Sequence, residues 1–449
     1  MRKIENILLI VALLTAQGAF ADPPYPVDSN GLPRLHSNPG AAGTVYLNFT
    51  GGQWLEVDYP PFGGDDVYDA VEQDKIYRAW VDTSAIYAMF DLNVTTVEPD
   101  YHTTPTAHIL ISRGTGTKAK PNTYGRTTGQ VYASASEGVE TNRTAAIGHE
   151  VGHMFGLTHQ AEYDDEGTLI AAYRAADEWN RGALMGEDID CKFAAWTTGP
   201  TPEGPTVVQD DIAVIAEKII EKANLFTGGN YTGDGFRPDD HGNAMGTATE
   251  VFAAEVAGII ERRSDVDMFR VPWRGGAFTV SAEAARLQGG WIEYASSVGL
   301  DMHLYDSSGT VIASDLADDP ADVYVELNLD LPAGTYFVSL ESHGDYEDLG
   351  AYTLSLPLPS PLAPAISGTP VDPIPEVSGY YVYDFTVADA DTRPADLTFQ
   401  LTDNRFTVSE DGAGGYRVHR YIWHRFDYEQ LQDYDFDLIV SDGVEEDRV

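Results

Sequence analysis

The sequence is short of three things. It has a single cysteine, Cys191, in 449 residues, so no internal disulfide can form. An exported chain of this size then relies on its core and on bound metal. It is short of positive charge, with 27 Lys and Arg against 71 Asp and Glu and a net charge of −44. Only seven of the basic residues are lysines, and none lies beyond Lys222. Such a surface repels phosphate backbones and anionic lipid, which argues against nucleic-acid binding and lipid docking. It suits high salt or abundant divalent cations, where self-repulsion is screened, and equally suits simple solubility. Finally, no apolar run reaches the ~20 residues that a membrane helix needs. The one apolar stretch, Ile7 to Leu14, follows Arg2 and Lys3 and precedes Ala19, Phe20 and Ala21. Residues 1–21 therefore read as a signal peptide, and the mature chain is expected to begin near Asp22 and to be secreted, passing the periplasm in transit.

What is present is ordinary globular material, 43% hydrophobic and 22% charged, which excludes wholesale disorder. The 43 glycines and 25 prolines favour turns and short strands. Residues 22–43 form a Pro/Gly-rich extended leader. Regular structure starts with the alternating strand pattern Thr44 to Phe49. Ile76, Ala79, Trp80, Ile86, Tyr87 and Phe90 recur at helical spacing, so Asp69 to Phe90 reads as an amphipathic helix. Leu92–Val97 and Ala107–Ser112 read as strands, Gly114–Gly129 as a loop and Val131–Ser134 as an edge strand. Thr141 or Asn142 caps a helix through Ala145, Ile147, Val151 and Met154, and Asp211–Lys222 is a further helix. After the glycine-rich linker Gly228–Gly235 the periodicity changes to short alternating runs. Two all-β modules are expected, at 239–358 and 365–449, separated by the proline-rich stretch Pro357–Pro364.

One stretch carries chemistry: HEVGHMFGLTH, His149 to His159. On a helix, His149 and His153 share a face and their imidazoles can meet one cation. Glu150 lies beside the first of them and suits a general base acting on water at the metal. Gly156 accepts positive φ, so the helix can end there and the chain can bring His159 back as a third ligand. Three neutral imidazoles leave an open position, as catalytic zinc sites do. Met185, about 26 residues after His159, can form an apolar floor under that metal. His102, His108, His419 and His424 are isolated and read as hydrogen-bonded or surface residues.

His149, Glu150, His153, Gly156, His159 and Met185 together resemble the metzincin clan of zinc endopeptidases. Tyr46–Gly52, Phe90–Thr96, Trp196–Gly199 and Gln209–Ile212 resemble bacterial secreted members of it. The resemblance spans residues 44–235 and implies an α+β catalytic domain, with a twisted five-stranded sheet on helices and substrate along an edge strand above the zinc. Some members use a tyrosine two residues after the Met as a further ligand. Glu187 stands there, so no tyrosine ligand is expected. In such enzymes the stretch after the Met walls the pocket for the residue following the scissile bond. Glu187, Asp188 and Asp190 would then favour Lys or Arg, unless they point to solvent. The leader holds no cysteine to block the metal, and Phe62–Asp65 reads as a loop, so no latency device is recognisable.

Asp239–Asn243, Asp265–Phe269, Leu304–Gly309 and Pro332–Tyr336 resemble the pre-peptidase C-terminal domain, a small sandwich appended to secreted bacterial proteases. It is read either as a docking module for substrate, extracellular surfaces or matrix, or as a spacer. Residues 365–449 resemble a cadherin-like sandwich about one strand short of a full module. That resemblance implies Ca²⁺ on Glu376, Asp389, Asp391, Asp427, Glu429 and Asp442, the alternative being acidic surface turns. The overall expectation is a secreted zinc-dependent endopeptidase acting on protein or peptide substrates, with Glu150 as base and His149, His153 and His159 as zinc ligands. The alternative is a non-catalytic extracellular adhesion or matrix protein that retains the zinc site. The segment from Asp22 to about Gly235 is expected to fold without the modules that follow.

Overall fold

The computed structural model describes residues 25–54, 56–112, 117–126, 133–135, 145–186, 191–251, 253–287, 293–294, 299–318, 322–344, 348–357, 364–370, 381–388, 397–403, 405–411, 414–420, 436–441 and 446–449. The proposed signal peptide lies outside them.

The first sheet is built from β1 (Gly43–Asn48), β2 (Leu92–Thr95), β3 (Thr106–Leu110), β4 (Thr117–Ala119) and β5 (Ala133–Ala135), in the order β2-β1-β3-β5-β4. β1 is an interior strand, buried along its whole length, with Val45, Tyr46 and Leu47 at its middle. β1 is parallel to β2 and β3, β3 is parallel to β5, and β4 runs antiparallel at the edge. β4 falls inside the stretch expected to be loop, and β5 begins two residues later than the expected edge strand. The leader lies extended against β2: Ser37 N–H donates to the Val94 carbonyl at 3.0 Å, and Leu35 is buried in the core.

Three helices back this region. Helix α1 (Ala70–Ile86) starts at a capping box in which Asp69 accepts from Val71 and Glu72 N–H while Glu72 accepts from Asp69 N–H. Its Trp80 indole donates to the Val94 carbonyl at 2.9 Å, fixing the helix to β2. Helix α2 (Ala145–Phe155) carries the first two histidines and buries Ile147, Val151 and Met154. A hairpin of β6 (Thr198–Thr201) and β7 (Gly204–Asp210) leads into α3 (Asp211–Thr227), which Asp210 caps through the Ala213 N–H. α3 ends at Gly228 in the left-handed conformation.

The second region is all β. β8 (Glu255–Ile260), β9 (Val266–Ala284), β10 (Leu300–Tyr305), β11 (Val311–Asp315), β12 (Tyr324–Ser342) and β13 (Gly350–Ser355) form a seven-stranded sheet together with Thr249–Glu250. β9 and β12 pair antiparallel from Val266↔Glu341 to Glu283↔Tyr324. Residues 365–448 supply a four-stranded and a three-stranded sheet around a separate core of Val382, Phe385, Phe406, Val418, Leu438 and Val440.

The α+β metzincin domain expected for residues 44–235 requires correction. Among the described residues only three helices stand beside 27 strands in eight sheets, so the chain is predominantly β. Helical periodicity is confined to the three stretches named above. Elsewhere glycine and proline cut the polypeptide into hairpins, including 162–171 and 198–210 within the segment that follows α2. The apolar core also does not stop at residue 235. One cluster runs from Leu47, Ile76, Phe155 and Trp196 to Phe269, Val338 and Leu354. Among the described residues no helix is long and apolar enough to cross a membrane.

Candidate metal centres

The structure brings His149, His153 and His159 together, with one ring nitrogen of each within 4.8 Å of the others. The imidazoles are oriented by backbone carbonyls. His149 Nδ1 donates to Leu184 O at 2.7 Å, and His153 Nδ1 donates to Leu157 O at 2.8 Å. With that proton on Nδ1, each Nε2 keeps its lone pair, as a metal ligand must. The Nε2 atoms of His153 and His159 are 3.1 Å apart. Two nitrogens bound to one tetrahedral zinc stand about 3.3 Å apart, so the spacing fits that ion. Burial, with His153 nearby, lowers the His149 pKa to about 3 and the His159 pKa to about 4, while burial also lowers that of His153. All three are neutral at pH 7 and competent to ligate.

Local sequence explains the convergence. Gly156 adopts φ +110°, and a Cβ there would sit 2.7 Å from Asn122 Oδ1, so glycine ends α2 where other residues would strain. Gly152 faces Met185, whose sulfur would be 2.8 Å from an added Cβ. Met185 is fully buried and lies against α2 at Gly152. Glu150 is 5% exposed on the same helix. Tyr173, which sequence reasoning did not single out, packs against His159 with the rings tilted and their centroids 4.2 Å apart, and is half exposed. Leu169 and Ile170 are exposed nearby in sequence. Glu187, Asp188 and Asp190 lie outside the described residues. Asp65 is exposed in a turn, accepting from Val67 N–H. His108 is buried between Asn48 and Tyr101, and His102 is exposed.

The carboxylates expected to bind calcium, Glu376, Asp389, Asp391, Asp427, Glu429 and Asp442, also fall outside the described residues. A different acidic cluster emerges where the chain enters the seven-stranded sheet. Asp239, Asp240 and Glu261 form one converging set, and Asp239, Asp265 and Asp267 another. Glu261 and Asp267 are fully buried and Asp265 nearly so. Both carboxylate oxygens of Glu261 and of Asp240, and one of Asp267, have no hydrogen-bond partner. Tyr352 donates to the other Asp267 oxygen at 2.5 Å. Burial and the neighbouring carboxylates raise the pKa of Glu261 and Asp267; burial raises that of Asp240 despite the Arg237 guanidinium. Arg237, itself 4% exposed, faces Asp240, Glu261 and Asp91. Asp239–Asn243 and Asp265–Phe269 had stood out only as a family resemblance. Their spacing gives no ligand signal in so acidic a chain.

No family model matches this sequence. No curated protein matches it. Among solved structures, the chain is distantly similar to the pre-peptidase C-terminal domain of collagenase from Bacillus anthracis, at 16% identity over 27% of this chain and 98% of that one, with a TM-score of 0.19. It is similar to the K3 cleaved adhesin domain of Lys-gingipain from Porphyromonas gingivalis at 15% identity, covering 23% and 71% of the two chains, TM-score 0.15. A CBM35 from Cellvibrio japonicus Abf62 matches at 13% identity over 26% and 78%, TM-score 0.14. TM-scores this low establish neither the fold nor the activity of this chain.

Proposed function

We propose that this chain is an exported zinc-dependent hydrolase of peptide bonds. The observation that carries the reading is the convergence of three imidazoles, two of them with Nδ1 committed to backbone carbonyls, two of them on the same helix as the buried Glu150. Zinc, when bound, supplies Lewis acidity that lowers the pKa of water and polarises a carbonyl. His149, His153 and His159 hold it and leave one side open. Glu150 takes a proton from the attacking water and delivers it to the departing amine. Tyr173, packed against His159 and half exposed, offers an apolar rim to substrate side chains. The test is cleavage of casein by the mature protein. Glu150→Gln should retain zinc and lose about 10²–10⁴-fold in turnover. Equal cleavage by both proteins would overturn the reading.

The predominantly β build of the chain supports a second reading, a non-catalytic extracellular protein that docks on matrix or surfaces through its β modules. Zinc binding without cleavage of any protein mixture would favour it. A further cofactor belongs to the acidic cluster. Five carboxylates in two overlapping sets, three of them with unsatisfied buried oxygens, match a hard divalent cation such as Ca²⁺, which takes six to eight oxygens. Calorimetric titration of the chelator-treated protein with CaCl₂ would show a binding heat that Glu261→Gln removes; no heat in the parent protein would refute the site.

A further inference from the structure

Two of the three histidines ride on α2, and helix geometry places them. His159 does not; it sits in an irregular stretch three residues past Gly156. Something else must hold it.

The residue before it, Thr158, is held on three atoms by one side chain. Thr158 N–H donates to Gln209 Oε1 at 2.9 Å, and its hydroxyl donates to the same oxygen at 3.1 Å. Gln209 Nε2 donates back to the Thr158 carbonyl at 2.9 Å. The carboxamide thus pairs with Thr158 as a neighbouring peptide unit in a strand would. Its orientation is forced, because the second Nε2 proton goes to Asp211 Oδ1 at 2.8 Å, and a carboxylate only accepts. Asp211 is fully buried and accepts from Thr197 N–H through its other oxygen at 3.1 Å. On the far side of His159, Gln160 N–H donates to Met185 O at 2.8 Å, and Gln160 Nε2 donates to Thr197 O at 2.8 Å. The backbone of the third ligand is bracketed on both sides, and Gln209 supplies one whole bracket from the junction of β7 and α3.

We propose that Gln209 is a positioning residue for His159, with Asp211 fixing the orientation of its carboxamide. The proposal rests on the zinc reading above. Outer-shell groups of this kind are worth about 10–100-fold in metal affinity when removed.

The test uses the full mature protein and zinc alone, with affinity read by competition against a chromophoric chelator and with the melting temperature of the metal-free form read in parallel. Gln209→Met keeps the length and removes every bond. It should weaken zinc binding about 10–100-fold and alter the visible spectrum of the cobalt-substituted protein. Tyr163→Phe removes a hydroxyl bond to Thr201 O on the adjacent hairpin; it should lower the melting temperature alone. Gln209→Glu sets two carboxylates together and should weaken zinc binding as well. Adding Asp211→Asn to Gln209→Glu restores a donor between the two side chains and should recover part of the affinity. Zinc binding by Gln209→Met within twofold of the parent would overturn the proposal. So would a loss in Tyr163→Phe of equal size, or no recovery in the double variant. If the parent protein itself binds no zinc, the zinc reading falls and this proposal with it. If the parent binds and only the Gln209 arms fail, the zinc reading stands.

Discussion

The two metal-ligand clusters of this chain are built on opposite electrostatic plans. At the histidine centre the donors are neutral, and two Nδ1 protons already have carbonyl partners, so the site is satisfied by protein alone. At the acidic cluster, carboxylates converge with several buried oxygens poorly satisfied by the protein, and Arg237 faces only part of that charge. Buried unpaired carboxylates are costly, by several kcal/mol per group in order of magnitude. On the proposed reading, the contrast separates a site that the fold makes ready for a metal from a site that an ion would complete. The first should tolerate metal removal; the second should not.

The largest expected effect breaks the first half of that contrast. His153→Ala should abolish zinc binding, measured by metal analysis after dialysis, while leaving the melting temperature within a few degrees of the metal-free parent. A collapse of the fold would show that zinc is structural there. Next in size is the calcium response. Saturating Ca²⁺ at about 1,000 times its dissociation constant should stabilise the protein by roughly 4 kcal/mol, read by chemical denaturation, and zinc should not substitute for it. Equal stability with and without calcium would erase the distinction between the two sites.

The third effect is pH dependence. In the folded, cation-free protein the pKa values of Asp240, Glu261 and Asp267 are raised by burial, so the folded state keeps protons that the unfolded state has released. Stability should therefore fall as pH rises above the ordinary carboxylate range of about 4. Calcium should flatten that slope, because it holds the same groups ionised in the folded state. Glu261→Gln should also flatten it and raise cation-free stability by about 1–3 kcal/mol. An unchanged slope in that variant would locate the pH response elsewhere. The smallest effect concerns Gly156. Its φ of +110° makes Gly156→Ala strained by about 1–3 kcal/mol, and the shift of the following turn should weaken zinc several-fold. A variant with parental zinc affinity would show that Gln209 and Gln160 hold His159 without help from the turn.

How much of this was legible in the sequence depends on how each site is assembled. The histidine centre is local: two ligands one helical turn apart, a glycine where the helix stops and a third ligand three residues on. Period and turn chemistry suffice to read it. Met185 is farther away but carries a recognisable spacing, and Gly152 leaves room for its sulfur. The acidic cluster is not local. Its carboxylates come from the entry segment at 239–240 and from the turn and strand start at 261–267, and only folding sets them together. In a chain with 71 acidic residues no spacing marks them out. Gln209 was visible as part of a resemblance, but a carboxamide acting on the backbone of residue 158 leaves no pattern. The fold class was misjudged for a related reason. The helices at 70–86, 145–155 and 211–227 were readable one by one, but the weight of short strands around them came from pairing partners distant in sequence.

The stacking of Phe193 on Tyr294, with ring centroids 5.3 Å apart, has a consequence for how such a chain can change over evolutionary time. Ala194 N–H donates to Tyr294 O, and Ala195 accepts from Leu184 N–H. Leu184 in turn presents the carbonyl that orients His149. Tyr294 of the β region is thereby joined, through three hydrogen bonds, to the first imidazole. Appended domains are usually exchanged between proteins as interchangeable cassettes. Here the two regions are joined: a foreign β region lacking an aromatic at the place of Tyr294 would leave Phe193 uncovered, while the bond from Ala194 N–H needs only a backbone carbonyl there. Recombination at residues 235–239 should therefore succeed only between chains that carry both halves of that aromatic pair.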